Sequence, residues 1–377
     1  MTVGLALSGL AIAWTALPST PLAAVPNGPA TDGSLSAPAT AAIHRVLSHP
    51  ARIPVQPERI GMIAVARAGK RMVAVGLHGL ILLSDDDGAQ WRVARTTVDV
   101  TLTAVRFASA RVGWATGHLG VVLHTRDGGE TWITQLSGIT ANDLELAAAK
   151  EEAARHPGDA MAAGWLRMVE RQRADGPGWP FLNLLVEDEQ RATVIGANGI
   201  AFATQDGGAR WSSISARLGH RQGHHLYGIQ SDGDGALVAG ELGLLLRATT
   251  RNGPFEELTS PYEGSFFGAL RSGARLVLYG LRGRVFVSGD GGSTWRPIAW
   301  TGQAAFTGGV ALPDGRVLLA DQSGGLAVSD AGLTKLTPLA LRLPPIAGLD
   351  VTEHGTVIAV GVAGPKRIPA DVLIGKE

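Results

Sequence analysis

The chain has 377 residues, enough for two average domains or for one repeat architecture. Its 51 glycines come without a Gly-X-Y period or a low-complexity run, which speaks against collagen and disorder, and the absence of cysteine excludes disulfides, thiolate metal sites and cysteine nucleophiles. Lys+Arg and Asp+Glu number 33 each, so the net charge is zero and the general attraction to phosphate backbones on which nucleic-acid binders rely is missing.

The first element is Val3 to Leu17, apolar, as long as a signal-peptide core and short for a membrane span. Small residues ending near Ala23-Ala24 offer a cleavage site. Residues 1–24 are therefore expected to be a secretory signal or, because Met1-Thr2-Val3 supplies no basic residue, a retained N-terminal anchor. Residues 25–42, rich in Pro, Ala, Ser and Gly, read as a flexible linker. A periplasmic or otherwise exported location follows, with membrane association through residues 3–17 if the segment stays.

From 43 to 377 one unit recurs: apolar strand, Gly-x-x-Gly, apolar strand, polar turn, Trp. The Gly-x-x-Gly copies begin at Gly76, Gly117, Gly196, Gly240 and Gly280, then at the degenerate Asp321, and finally at Gly361. Their spacings are 41, 79, 44, 40, 41 and 40 residues, and the 79 is one period plus an insertion of about 38. Each copy sits between alternating apolar runs, which predicts a tight hairpin needing positive φ. No copy opens a helix, so a phosphate-binding loop is rejected.

A second motif follows each of four hairpins: Ser84 to Trp91, Thr125 to Trp132, Thr204 to Trp211 and Ser288 to Trp295. These match the Asp-box, Ser/Thr-x-Asp-x-Gly-x-Thr-Trp. Thr249 to Phe255 is a remnant with Phe for Trp, and Ser329-Asp330-Ala331-Gly332 has lost its aromatic. In such turns the carboxylate accepts backbone N–H groups, glycine supplies an unusual φ, and Trp packs between sheets. Asp86, Trp91, Asp127, Trp132, Asp206, Trp211, Asp290 and Trp295 are accordingly structural residues. The prediction is an all-β fold: a seven-bladed β-propeller with Asp-box turns and a helical hairpin insertion at about 139–178.

The insertion reads as two helices. Asn142-x-x-Glu145 resembles a capping box leading into Asp143 to Arg155, and His156-Pro157-Gly158 breaks that helix. Asp159 caps a second helix to about Ala174, with Leu166, Met168 and Val169 on a narrow apolar face and Arg167, Glu170 and Arg171 solvated. It is either a hairpin packed on the rim or a cap over the channel mouth.

Blade topology puts the Gly-x-x-Gly hairpins on one face with the interblade links, and the Asp-boxes on the other. The hairpin face surrounds the channel mouth and is the expected partner-binding face. Its tips carry His78, His118, Asn198, Glu241, Arg282 and Gln322, while Arg221, His224 and His225 lie in the link before the fourth blade. Two histidines and a glutamate at the tips invite a metal reading, but they lie on separate blades without close His-x-x-His spacing, so neither metal nor cofactor is expected. His220, His224 and His225 leave a metal or pH-sensing cluster as an alternative.

The repeats, the insertion and the segment Pro180-Phe181-Leu182-Asn183 through Glu187-Asp188-Glu189-Gln190 resemble the photosystem II stability/assembly factor-like proteins. They are more similar still to relatives in non-photosynthetic bacteria, described as BNR/YVTN-type repeat proteins. The resemblance covers about residues 58 to 364. It implies an exported, non-catalytic, monomeric scaffold that assists assembly or stability of a membrane protein complex, in the non-photosynthetic branch an exporter of the resistance-nodulation-division (RND) type. The photosynthetic members use a basic surface patch, to which Arg282 and Arg221 would contribute here, although no arginine stripe is concentrated in this chain.

The C-terminus departs from the repeat. Pro365-Lys366-Arg367-Ile368-Pro369 replaces the usual apolar third strand, and the last blade is expected to borrow a strand from Ile43 to Leu47 or Arg52 to Gln56.

Two alternatives remain. A sialidase-like glycoside hydrolase would share the Asp-boxes and would use Tyr227, Tyr262 or Tyr279 as nucleophile, but such enzymes have six blades. A glycan- or peptide-binding module would need no chemistry at all.

Overall fold

The structure, a computed structural model, describes residues 37–50, 53–219 and 223–373. Of the chain's two units, Met1–Gly33 lies outside the described residues, with the expected signal and most of the linker, and Ser34–Glu377 contains everything below. Arg52, His220 and Arg221 also lie outside the described residues.

Among the described residues there are seven antiparallel sheets, six of four strands and one of three, each a simple meander in chain order. The first strands are Met62–Ala68, Leu102–Phe107, Phe181–Val186, Leu226–Asp232, Phe266–Ser272, Phe306–Ala311 and Ile346–Val351. Each packs against the first strand of the next sheet, and that of the seventh against that of the first. The sheets thus close into a ring, a β-propeller with its first strands innermost.

The second strands show why their sequences are apolar without alternation. Met72 and Ala74 face Ile358 and Val360 of the seventh sheet, while Val73 and Val75 face Leu102, Val105 and Leu123 of the second. A strand buried on both faces has no side to give to polar residues.

The hairpin glycines do different work. In Gly76–Gly79 the positive φ falls on His78 (55°) and Gly79 (68°), whereas Gly76 is extended. Gly76 is needed for space instead, since a Cβ there would lie 2.4 Å from the Gly61 carbonyl oxygen. That same oxygen accepts a hydrogen bond from Leu77 N at 3.1 Å. The bond recurs in all seven sheets, always to the residue just before the first strand, with Thr101, Pro180, His225, Ser265, Ala305 and Pro345 as the other acceptors. The second glycine meets the link to the following sheet: a Cβ on Gly79 would lie 2.3 Å from Val98 O, and one on Gly364 would lie 1.9 Å from Glu58 O. The last contact joins the seventh sheet to the chain entering the first.

The polar turns lie on the opposite face. Asp127 Oδ1 accepts from Thr131 N at 3.0 Å and from the Thr125 hydroxyl at 2.8 Å, and Oδ2 accepts from the Thr131 hydroxyl at 2.6 Å. The equivalent bonds of Asp290 to Thr294 and Ser288 hold its carboxyl down to about 2. Trp91 and Trp132 donate to Gly88 O and Gly129 O, but Trp211 Nε1 and Trp295 Nε1 have no partner. The sixth turn, read as degenerate, keeps its carboxylate bonding: Asp330 accepts from Thr334 N and Oγ1 and from Lys335 N.

Two expectations for the termini fail. Ile43 to Leu47 belong to a helix, α1 (Ala37–Ser48), whose Val46 and Leu47 pack on the core between the first and second sheets. Residues 53–56 form no strand. Lys366–Ile368 itself is the third strand of the seventh sheet, and no described segment adds a fourth. Prolines 365 and 369 on either side, with two charged side chains between, blunt that edge.

The insertion is a helical hairpin, α2 (Gly138–Arg155) and α3 (Ala160–Asp175). Asp159 caps α3 as expected, accepting from Met161 N at 2.8 Å. The capping box does not form. The first helix starts four residues before Asn142, after Ser137, so Asn142 and Glu145 lie inside it. The apolar contact is centred on Ala149, Trp165 and Val169, with Leu166 and Met168 at its margin. Among the described residues, no helix is long and apolar enough to cross a membrane.

Candidate functional site

Four sequence-predicted residues meet where the third and fourth sheets adjoin the helical insertion. The meeting is built from the main chain outward. Ala197–Gly199 and Glu241–Gly243 are the tip turns of neighbouring hairpins, and His225 ends the link between them. Glu241 N donates to His225 O at 2.9 Å, and His225 N donates to the Glu241 carboxylate at 3.2 Å. Asn198 N donates to His225 Nδ1 at 3.1 Å, which makes that ring nitrogen the acceptor. With its amide oriented to satisfy both neighbours, Asn198 accepts from Trp179 Nε1 at 2.9 Å and donates to Gly223 O at 3.2 Å. His224 Nδ1 is buried without a partner.

Aromatic rings complete the mouth. Tyr227 stands 6.1 Å from the His225 ring and 5.5 Å from Phe267, both edge-on. Burial, with the Glu241 carboxylate nearby, pushes the Tyr227 hydroxyl up to about 12. A Cβ on Gly223 would touch Met168 of α3 at 3.8 Å, so the insertion borders this mouth directly. Trp179 and Phe267 were not foreseen. The signal for Trp179 was its position beside Pro180 at the end of the insertion, whereas nothing in the sequence marked Phe267.

The remaining candidates stay apart, on separate sheets. His78 is exposed and pairs with Asp99 at 3.0 Å, beside the α1 contact in which Asp99 N donates to Val46 O. His118, Arg282 and Gln322 are exposed. Arg282 and its neighbour Arg284 form no ion pair with any described residue. No group of three or more His, Asp or Glu that could hold a metal ion occurs among the described residues.

Tyr227 and Tyr279 are set against nucleophilic use. Tyr279 is buried between sheets and its hydroxyl is pushed up to about 12 by that burial, as the Tyr227 hydroxyl is. Tyr262 stacks on Phe286 at 6.3 Å. An activated nucleophile needs the opposite shift. A separate groove of about 370 Å³ opens beside Trp300, between Phe306 and the outer strand of the sixth sheet, and no sequence-predicted candidate lines it.

No family model matches the chain. In sequence it is 29% identical, over 119 residues, to the Photosystem II assembly lipoprotein Ycf48 of Synechococcus sp. (strain CC9902), which is 30% of this chain and 35% of that protein. The match therefore spans about a third of the curated relative's length. Among solved structures, Ycf48 bound to D1 peptide is similar with a TM-score of 0.59 and 15% identity, covering 85% of this chain and 96% of that one. Ycf48 from Cyanidioschyzon merolae has a TM-score of 0.59 at 14% identity, covering 83% and 96%. The WD40 propeller domain of Doa1 has a TM-score of 0.59 at 10% identity, covering 82% and 93%. Likeness to solved structures over most of the chain shows a β-propeller fold like that of Ycf48, and over 119 residues the sequence is similar to Ycf48 as well.

Proposed function

We propose that this chain is an exported, non-catalytic, monomeric scaffold: seven blades with Asp-box turns, behind a signal or anchor at 1–24 and a linker from 25 that ends where α1 begins, not at 42 as the composition suggested. It assists assembly or stability of a membrane protein complex, with a subunit of an RND-type exporter as partner. The hairpin face makes the contact, with Asn198, His224, His225 and Glu241 at its centre and His78, His118, Arg221, Arg282 and Gln322 around it.

The observation that carries this reading is the gathering of four polar candidates with Trp179 and Tyr227 at one mouth, bordered by the insertion. Aromatic rings beside a few fixed polar groups suit recognition of a polypeptide better than chemistry on a small substrate. The similarity to Ycf48 supports a polypeptide partner, since one of its structures holds a D1 peptide.

Photo-crosslinking in the native cell tests the proposal. A crosslinker in place of Glu241 is expected to capture a membrane protein identifiable by mass, and one in place of Gly289, on the opposite face, to capture none. Capture from the Gly289 position alone, or of no membrane protein from either, would overturn the assignment.

A further inference from the structure

The insertion carries a titratable group at its seat on the propeller. Glu145 lies on the buried stripe of α2 with Ala141 and Ala149 and is 3% exposed. Neither of its carboxyl oxygens has a hydrogen-bond partner. It lines a small, partly open cavity with Gly120, Asn142, Gln172, Trp179 and Phe202.

Among the described residues, the groups that face Glu145 are all uncharged. Ser213 and Ser215 at the edge of the third sheet and Trp165 of α3 lie near enough to favour the charged form and offset part of the burial, without making a hydrogen bond of full geometry to either oxygen. Across the cavity stand Asn142 of α2 itself, Gln172 of α3 and Trp179 of the link that follows. Most of their hydrogen-bonding capacity is committed elsewhere. Ser215 Oγ exchanges bonds with the Ala201 backbone, and Asn142 and Gln172 both donate to Gly176 O, at 3.2 and 3.0 Å. No cation of the described residues acts on the carboxyl. The nearby ion pair, Arg173 with Asp143, is exposed and self-satisfied. A carboxylate in such a place has lost its water and gained no counter-charge, so the neutral acid is the form that fits.

We propose that Glu145 is a proton-operated latch: as the acid it lets α2 and α3 seat on the third sheet, and as the carboxylate it loosens that seat. Loosening frees the border of the Asn198–His225–Glu241 mouth, because Met168 of α3 and Trp179 both reach that site. The regulatory meaning rests on the role proposed for the mouth, whereas the latch itself does not.

Burial supports the sign by pushing the Glu145 carboxyl up to about 7 from an ordinary 4.5. A group whose docked pKa lies above its undocked value stabilises docking fully below the lower value. That stabilisation is lost as pH rises through the higher one. The seat is thus tightest in acid, weakens between about pH 4.5 and 7, and changes little above.

Hydrogen exchange of the full chain without any partner, corrected for the intrinsic pH dependence of exchange, reads this directly. Protection of peptides within 138–175 is expected to fall roughly tenfold or more between pH 5 and pH 7, while the inner strands stay constant. Glu145→Gln and Glu145→Leu should both be flat over that window, and the second carries the test if the first fails to fold. His156, beside Glu152 on the same helix, remains in both variants and controls for histidine titration. A flat wild-type profile, or equal pH dependence in the variants, would falsify the latch. Neither outcome bears on whether the mouth binds a partner, which the crosslinking experiment decides.

Discussion

Each hairpin glycine answers to a different constraint, and substitution separates them. Gly76 has an unremarkable φ but no room, whereas Gly289 has open space around it and no positive φ. Gly76→Ala is expected to cost about 1–3 kcal/mol or more by forcing backbone apart, and Gly289→Ala to stay within about 0.5 kcal/mol, by urea unfolding. The sequence made both glycines of Gly76–Gly79 visible but assigned them one reason, positive φ, that only Gly79 obeys. Spacing along the chain reports local conformation, whereas the carbonyl of Gly61 that crowds Gly76 comes from the far end of another strand. The same limit hid the mouth. Asn198 and Glu241 were legible as hairpin tips, but their meeting with Trp179 and Tyr227 depends on the closure of neighbouring sheets.

At the scale of elements, periodic apolar runs and turn residues identified the strands and both insertion helices. Their ends were harder. Asn142-x-x-Glu145 imitates a capping box, yet Ser137 precedes the helix and places Glu145 two turns inside it, on the buried stripe. A carboxylate expected to cap a helix start is in fact the most deeply buried acid of the insertion. Ile43 to Leu47 misled for a related reason: its apolar residues suit an edge strand as well as one helical turn, and only Val46 and Leu47 find a core. Among the described residues, two side chains packed on the core and one backbone bond hold α1. Deleting residues 37–50 should therefore lower stability by only about 1–2 kcal/mol and leave the sheet signal in circular dichroism unchanged.

The whole molecule is a ring whose closure falls between unequal neighbours. The seventh sheet has three strands, and its junction with the first holds the packing of Met72 and Ala74 on Ile358 and Val360, the bond from Arg67 N to Asp350 Oδ2 at 2.9 Å, Gly364 against Glu58, and His354 Nδ1 with Asp87 at 2.7 Å. The first and second sheets are joined by an ion network as well, in which Arg71 and Arg92 each bridge Asp85 and Glu130. Unfolding should start at the seventh sheet, whose described strands are fewest. Amides of Val357–Gly361 are expected to exchange sooner than those of Gly113–Gly117, the matching strand of the second sheet; the reverse order would place the weak point elsewhere.

The bond from each hairpin to the residue before the first strand is made by main-chain atoms alone. Side chains in the links therefore have no duty in holding the sheets in register, and a link is free to lengthen without disturbing its neighbours. One of the six links between sheets has done so, taking in the two helices between Leu136 and Phe181 while the Ala197 N to Pro180 O bond stays at 3.1 Å. The other five are ports of the same construction, open to grafted segments on the face where recognition is proposed.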